Sequence, residues 1–124
     1  RIDVDDDNNW IIIDYKTGKR KISQKEADED MQLGLYHAGL DNGQREINSI
    51  TLVWHFLQQR EKEASIKSVR NAKSISLLIE RTKKIIEKIM TEVEFKPKKS
   101  HLCNWCYYWQ ECPVQTKPNP NLPQ

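Results

Sequence analysis

The chain has 124 residues, 31% of them charged and 37% apolar, with a formal net charge of +2. That composition supports one domain with a modest core under a heavily charged surface. No apolar run reaches the length of a membrane span and no signal-peptide pattern opens the chain, so the expectation is a soluble, cytoplasmic protein with reduced cysteines.

Charge is unevenly placed. Clustered acids fill the first part of the chain, while Lys and Arg dominate from Lys67 to Lys99. An acidic site beside a basic surface suits a metal-dependent enzyme acting on a polyanion, and it suits an ordinary soluble domain equally well.

Arg1–Val4 alternates polar and apolar residues, Asp5-Asp6-Asp7-Asn8-Asn9 reads as a hairpin turn, and Trp10–Ile13 reads as a buried strand. That strand delivers Asp14, Tyr15 and Lys16 before Thr17-Gly18 turns the chain. Side chains alternate along a strand, so Asp14 and Lys16 leave one face and Tyr15 the other. A two-residue loop at Asn8-Asn9 sets position 7 against position 10 and Asp3 against Asp14. Two carboxylates opposed across a ladder repel. The pattern therefore calls for a cation between them, for a different register, or for no more than a solvated acidic turn.

Lys16 to Lys21 is a basic exit loop, and Ser23-Gln24-Lys25-Glu26 has the spacing of a capping box, so a helix starts there. Ala27, Met31, Leu35 and Ala38 recur as its buried stripe, and Gly39 with Asp41-Asn42-Gly43 ends it. Gln32 and Tyr36, four apart, share one face of that helix. Asn48–Leu57 is the next strand, apolar on both faces and so interior to the sheet, with His55 as a packed residue rather than a ligand. Gln58–Ala64 is a charged turn and Ser65–Val69 a return strand. A second long helix is predicted from Ser74 to Val93, with Ile75, Leu78, Ile79, Ile85, Ile86, Ile89 and Val93 on a single apolar face. Lys83, Lys84 and Lys88 occupy the remainder as a solvated face or as phosphate contacts.

After the break at Pro97–Ser100, Cys103, Cys106 and Cys112 fall within ten residues. In a reducing compartment this spacing reads first as a metal or cluster site, with His101 available as the fourth ligand of a Cys3His zinc centre. The alternative is three reduced thiols packed among Trp105, Tyr108 and Trp109. Val114–Gln124, rich in Pro and Asn, is expected to be a disordered tail. The architecture expected is α/β: a small mixed sheet of about four strands flanked by two helices, with the cysteine-bearing segment folding back.

Arg1-Ile2-Asp3, then Ile12-Ile13-Asp14-Tyr15-Lys16-Thr17-Gly18-Lys19, then Gln32-Leu33-Gly34-Leu35-Tyr36, then Cys103-x-x-Cys106 follow one another over nearly the whole chain. In that order they resemble the RecB/AddB-type branch of the PD-(D/E)XK nuclease superfamily, which includes iron–sulfur nucleases associated with CRISPR systems. The resemblance implies a restriction-endonuclease-like core over residues 1–113, including the cysteine segment 101–113. Relatives carry a Gly and a helix upstream, so the chain reads as a C-terminal fragment truncated at its N-terminus.

The activity implied is Mg2+- or Mn2+-dependent DNA hydrolysis, of exonuclease type, in DNA repair, recombination or CRISPR-type processing. DNA is the implied partner, with a helicase fused or recruited; the fragment itself is expected to be monomeric and to cut slowly or not at all. By the same resemblance Asp3, Asp14 and the Tyr15 backbone carbonyl hold the metal. Lys16 orients water or stabilises charge, and Gln32 and Tyr36 position the lysine, the water or the phosphate. Cys103, Cys106 and Cys112 resemble part of a [4Fe-4S] clasp whose fourth Cys is not in this chain, with Zn2+ as the alternative occupant. Val4 departs from the pattern, standing where many relatives carry Arg. Two other readings compete: an inactive nuclease fold that binds DNA or braces a helicase, and a zinc-binding interaction module.

Overall fold

The computed structural model describes residues 1–41, 43–119 and 121. Asn42 of the expected helix terminus, and residues 120 and 122–124 of the expected tail, lie outside them. The chain forms two compact units, Arg1–Glu87 and Lys88–Gln124.

The first unit holds strands β1 (Ile2–Val4), β2 (Asn9–Lys16), β3 (Ser49–Phe56) and β4 (Ser65–Val69). Helices α1 (Gln24–Glu29) and α2 (Met31–Leu40) lie between β2 and β3 in the chain, and α3 (Ala72–Thr91) follows β4. The four strands form one sheet in the order β1-β2-β3-β4. β1 and β2 pair antiparallel, β2 and β3 parallel, and β3 and β4 antiparallel. This is the mixed α/β sheet that the strand pattern predicts, with three helices rather than two.

The two inner strands share one register, from Asn9 opposite Ser49 to Lys16 opposite Phe56. Their even-numbered side chains line the core: Ile12, Ile50, Leu52, Trp54 and Phe56, joined by Ala27 and Leu33 from the helices above. Trp54 is fully buried and its neighbour Val53, on the other face, is 7% exposed, as an interior strand requires.

The hairpin departs from the sequence reading. Asp3 pairs with Ile11 and Val4 with Trp10, so Asp3 does not face Asp14. The loop is longer because Asp5 organises it. The Asp5 carboxylate accepts hydrogen bonds from the amides of Asp7 (3.0 Å) and Asn9 (2.9 Å) and from Asn9 Nδ2 (3.1 Å). Asn8 takes a left-handed conformation at φ 58°, which Asn tolerates better than most residues. Asp5 and Asn9 then pair across a three-residue loop through the Asp5 amide and the Asn9 carbonyl at 3.2 Å. The aspartates of the turn serve as its cap.

The single helix expected after Ser23 is two. The capping box forms as predicted: Ser23 N and Oγ donate to Glu26 Oε2 at 2.8 and 2.9 Å, and Glu26 N donates to Ser23 Oγ at 3.2 Å. Asp30, extended at ψ 128°, ends α1 and begins α2, its carboxylate accepting from the Leu33 amide at 2.8 Å. Arg70 Nη2 clamps the junction through the carbonyls of Ala27 (2.8 Å) and Asp30 (3.1 Å). The break rotates the buried face of α2 to Leu33, Gly34 and His37, leaving Leu35 37% exposed. Gly34 is where α3 approaches: a Cβ there would meet Leu78 Cδ2 at 2.6 Å. Leu78 is the one buried side chain of α3 among the described residues, and Ile85, Ile86 and Ile89 of its apolar stripe are exposed.

In the second unit, a 3-10 turn at His101–Trp105 starts a series of tight turns through Cys103, Cys106, Trp109 and Cys112, each carbonyl accepting from the amide three residues on. Trp109 Nε1 donates to the Lys117 carbonyl at 2.7 Å. No helix among the described residues is long and apolar enough to cross a membrane.

Two outcomes are expected. Gly34→Ala gains helix propensity but drives a methyl into buried Leu78, so a net loss of about 1–2 kcal/mol is expected in urea unfolding. The Glu26 carboxylate is held down to about 2, from an ordinary 4.5, first by the Ser23 amide and then by Arg20. Its folded value lies below its unfolded one, so its contribution is complete above pH 4.5 and disappears as pH falls toward 2. Glu26→Gln should flatten the fall in Tm across that window, and a Tm–pH curve superimposable on the parent's would contradict the assignment.

Candidate active site

β2 ends on Asp14-Tyr15-Lys16, and the alternation of the strand decides what meets what. Asp14 and Lys16 share the face of Ile12, which the core cluster places under the helices. Gln32 and Tyr36 on α2 come to the same place. Lys16 Nζ stands 2.5 Å from Asp14 Oδ2 and donates to Gln32 Oε1 at 3.1 Å. Gln32 Nε2 donates in turn to the Tyr36 hydroxyl at 3.2 Å. One chain of contacts thus runs from a carboxylate through an ammonium and an amide to a phenol. Four of the five side chains singled out in the sequence are brought together.

The fifth is not. Residues paired across an antiparallel ladder share a face, so Asp3, opposite Ile11, lies on the side of the sheet away from Asp14. There Asp3 Oδ1 accepts from Arg1 Nε at 2.8 Å. The Arg1 guanidinium is held above its ordinary value by Asp3 first and by Tyr15 second. Tyr15 meets His55 edge-on at 5.7 Å, and His55 Nδ1 lies 2.8 Å from Ser65 Oγ, so His55 is a packed and partnered residue, as expected.

Two features of the β2 terminus suit a hard cation. Asp14 Oδ2 is buried and makes no hydrogen bond, although the Lys16 ammonium touches it. The second concerns the backbone. Odd carbonyls of β2 point toward β1, as Ile13 accepting from Arg1 and Asn9 from Asp5 demonstrate, whereas the Lys16 carbonyl points toward β3 and accepts from Leu57. The Tyr15 carbonyl therefore points to the β1 side, beyond the Arg1–Ile13 pair. A carboxylate and a carbonyl together fit Mg2+ or Mn2+, which retain waters and take further oxygens from substrate. Beside them a cleft of about 540 Å³ opens, lined by Ile2, Ile12, Asp14, Leu35, Tyr36 and Leu40 among others.

The cysteines behave differently. Cys103, Cys106 and Cys112 are free and half-buried. Among the described residues no three His, Cys, Asp or Glu side chains gather as metal ligands. Sequence reasoning also passed over Gln58 and Gln59, whose side chains reach back to the loop after Lys16. Adjacent glutamines in a charged turn look like solvated residues until their targets are known.

The chain matches the family model of the PD-(D/E)XK nuclease superfamily over residues 1–113, and it belongs to that superfamily. Its four-stranded mixed sheet flanked by helices is consistent with the restriction-endonuclease-like core of the group. Membership implies a nuclease with DNA as substrate, of a kind that typically uses divalent metal ions. No curated protein and no solved structure matches the chain.

The exposed Gln32 bridges Lys16 and Tyr36 without entering the core. Gln32→Ala should change unfolding free energy by no more than about 0.5 kcal/mol while displacing the Lys16 Nζ resonance in NMR. A loss of several kcal/mol would make Gln32 a packing residue instead.

Proposed function

We propose that the protein is a Mg2+- or Mn2+-dependent deoxyribonuclease that hydrolyses phosphodiesters at the C-terminal end of β2. The observation that carries this reading is the contact chain Asp14–Lys16–Gln32–Tyr36, which links one acid, one fixed cation and two neutral donors, with Asp14 and Tyr36 at its two ends lining a cleft. The order of motifs favours the RecB/AddB-like branch. That branch adds exonuclease-type action in DNA repair, recombination or CRISPR-type processing, with a helicase fused or recruited.

Phosphodiester hydrolysis needs an attacking water, neutralisation of charge on the phosphoryl oxygens, and a stabilised leaving oxygen. Asp14 and the Tyr15 carbonyl would hold the divalent cation, which when bound supplies Lewis acidity at the phosphate and makes the attacking water more acidic. The ammonium of Lys16 faces the developing negative charge, and it is worth most where water is partly excluded. Gln32 accepts from that ammonium and so fixes its direction. The Tyr36 hydroxyl already accepts from Gln32, which leaves its own proton to donate to a phosphate oxygen. Asp3, on the other face, holds Arg1 rather than the cation. The three thiols stand outside this reaction.

Cutting of linear DNA in Mg2+ by the full-length protein tests the reading. Asp14→Ala and Lys16→Ala should each lower kcat by at least about 100-fold with Tm unchanged. Mn2+ should broaden NMR signals most strongly at Asp14, Tyr15 and Lys16. Retained cutting in either variant would remove the catalytic assignment, and DNA binding without cutting in the parent protein would favour the scaffold reading.

A further inference from the structure

The chain leaves β2 through a loop, residues 17–21, that exposes Lys19, Arg20 and Lys21 to solvent. Adjacent cations repel one another, which works against holding them in one conformation. This loop is instead held from the neighbouring turn after β3. Gln58 Nε2 donates to the Thr17 carbonyl at 2.6 Å, and Gln59 Nε2 donates to the Lys19 carbonyl at 2.7 Å. The Leu57 amide donates to the Lys16 carbonyl at 3.0 Å, so the parallel ladder runs on past both strands into the two side-chain bonds. Arg20 pairs with Glu26 and ties the loop to α1. Lys19 and Lys21 have no acidic partner among the described residues.

A solvated lysine needs no fixed backbone beneath it. Ordering a loop costs conformational entropy, and ordering cations adds repulsion; a loop that is already ordered presents its charges without that cost at the moment of binding. Its place is also informative. Lys19 follows Lys16 by three residues, so their Cα atoms lie within about 11 Å, close enough for a strand that meets Lys16 to bring a neighbouring phosphate within reach of Lys19.

The geometry points to residues 17–21 as a contact for the phosphates that flank the cleaved one, with Lys19 and Lys21 as the binding cations and Gln58 and Gln59 as positioning residues. The assignment rests on the nuclease reading for the identity of the polyanion, a DNA strand. It contributes affinity and register along the strand and carries no base information.

The test is the salt dependence of binding. A labelled single-stranded oligonucleotide is titrated with the full-length protein in the absence of divalent metal, from about 50 to 200 mM salt, and followed by anisotropy. Lys19→Ala with Lys21→Ala should reduce the slope of log K against log salt by about 1.4, the release of two phosphate contacts on a single strand. Gln58→Ala with Gln59→Ala should keep the parent's slope but weaken binding at every salt concentration, and in cleavage its loss should fall on KM rather than kcat. An unchanged slope in the lysine variant overturns the proposal. A lowered Tm in the glutamine variant with KM unmoved overturns the positioning role. A parent protein that cuts nothing but shows the lysine-dependent slope would sink the nuclease reading and leave this surface standing.

Discussion

The parallel pairing of β2 with β3 is the constraint on which the rest depends. Antiparallel neighbours can be joined by a tight turn, but parallel ones need a connection that crosses a face of the sheet. Here that connection is α1 and α2, so the helix bearing Gln32 and Tyr36 must lie over the strand bearing Asp14 and Lys16. The register then leaves no slack. Asp14 sits opposite Trp54 and Lys16 opposite Phe56, both almost wholly buried. A slip of one residue would exchange the two faces of the strand and send the charges away from the helix.

That same pairing explains why a charged pair is tolerated so close to the core. Asp14 and Lys16 stand at the strand's end, 22% and 35% exposed, with aromatic bulk on one side and water on the other. Their attraction is stronger than at an open surface, while partial solvation relieves most of the cost of burial. The ammonium acts as a resident cation for a carboxylate whose second charge partner would be a metal ion, and the amide of Gln32 keeps it from folding back onto Asp14 alone.

Much of this was legible in the sequence wherever periodicity alone decides the outcome. The strand ending in Asp14-Tyr15-Lys16, the interior position of β3, the Ser23 cap and the long amphipathic α3 all follow from alternation, three-and-four spacing or capping chemistry. The features that stayed hidden depended on competition between equivalent local choices. Asp5, Asp6 and Asp7 are interchangeable on paper, yet the one that caps the loop sets the hairpin register and so carries Asp3 to the far face. Asp30 lies inside the stretch that the Ser23 cap opens as one helix. It became a helix terminus because Arg70, forty residues on, binds the carbonyls that the break sets free. The clamp by Gln58 and Gln59 is of the same kind, two ordinary side chains whose partners are distant in sequence.

The shared cap at Asp30 carries a consequence for how this chain can change over evolutionary time. Every residue added to or removed from a helix rotates its remaining turns by about 100°. Because α2 is phased from Asp30, a single insertion or deletion between Asp30 and Tyr36 would swing Gln32 or Tyr36 off the Lys16 side of the sheet and disrupt the seat of Leu33. Substitutions in that stretch are open to selection one at a time; changes of length are closed. The connection after Asp41, which closes α2 through the His37 carbonyl, lies beyond the phased stretch and is where length can drift, so relatives that share this site should vary in size there.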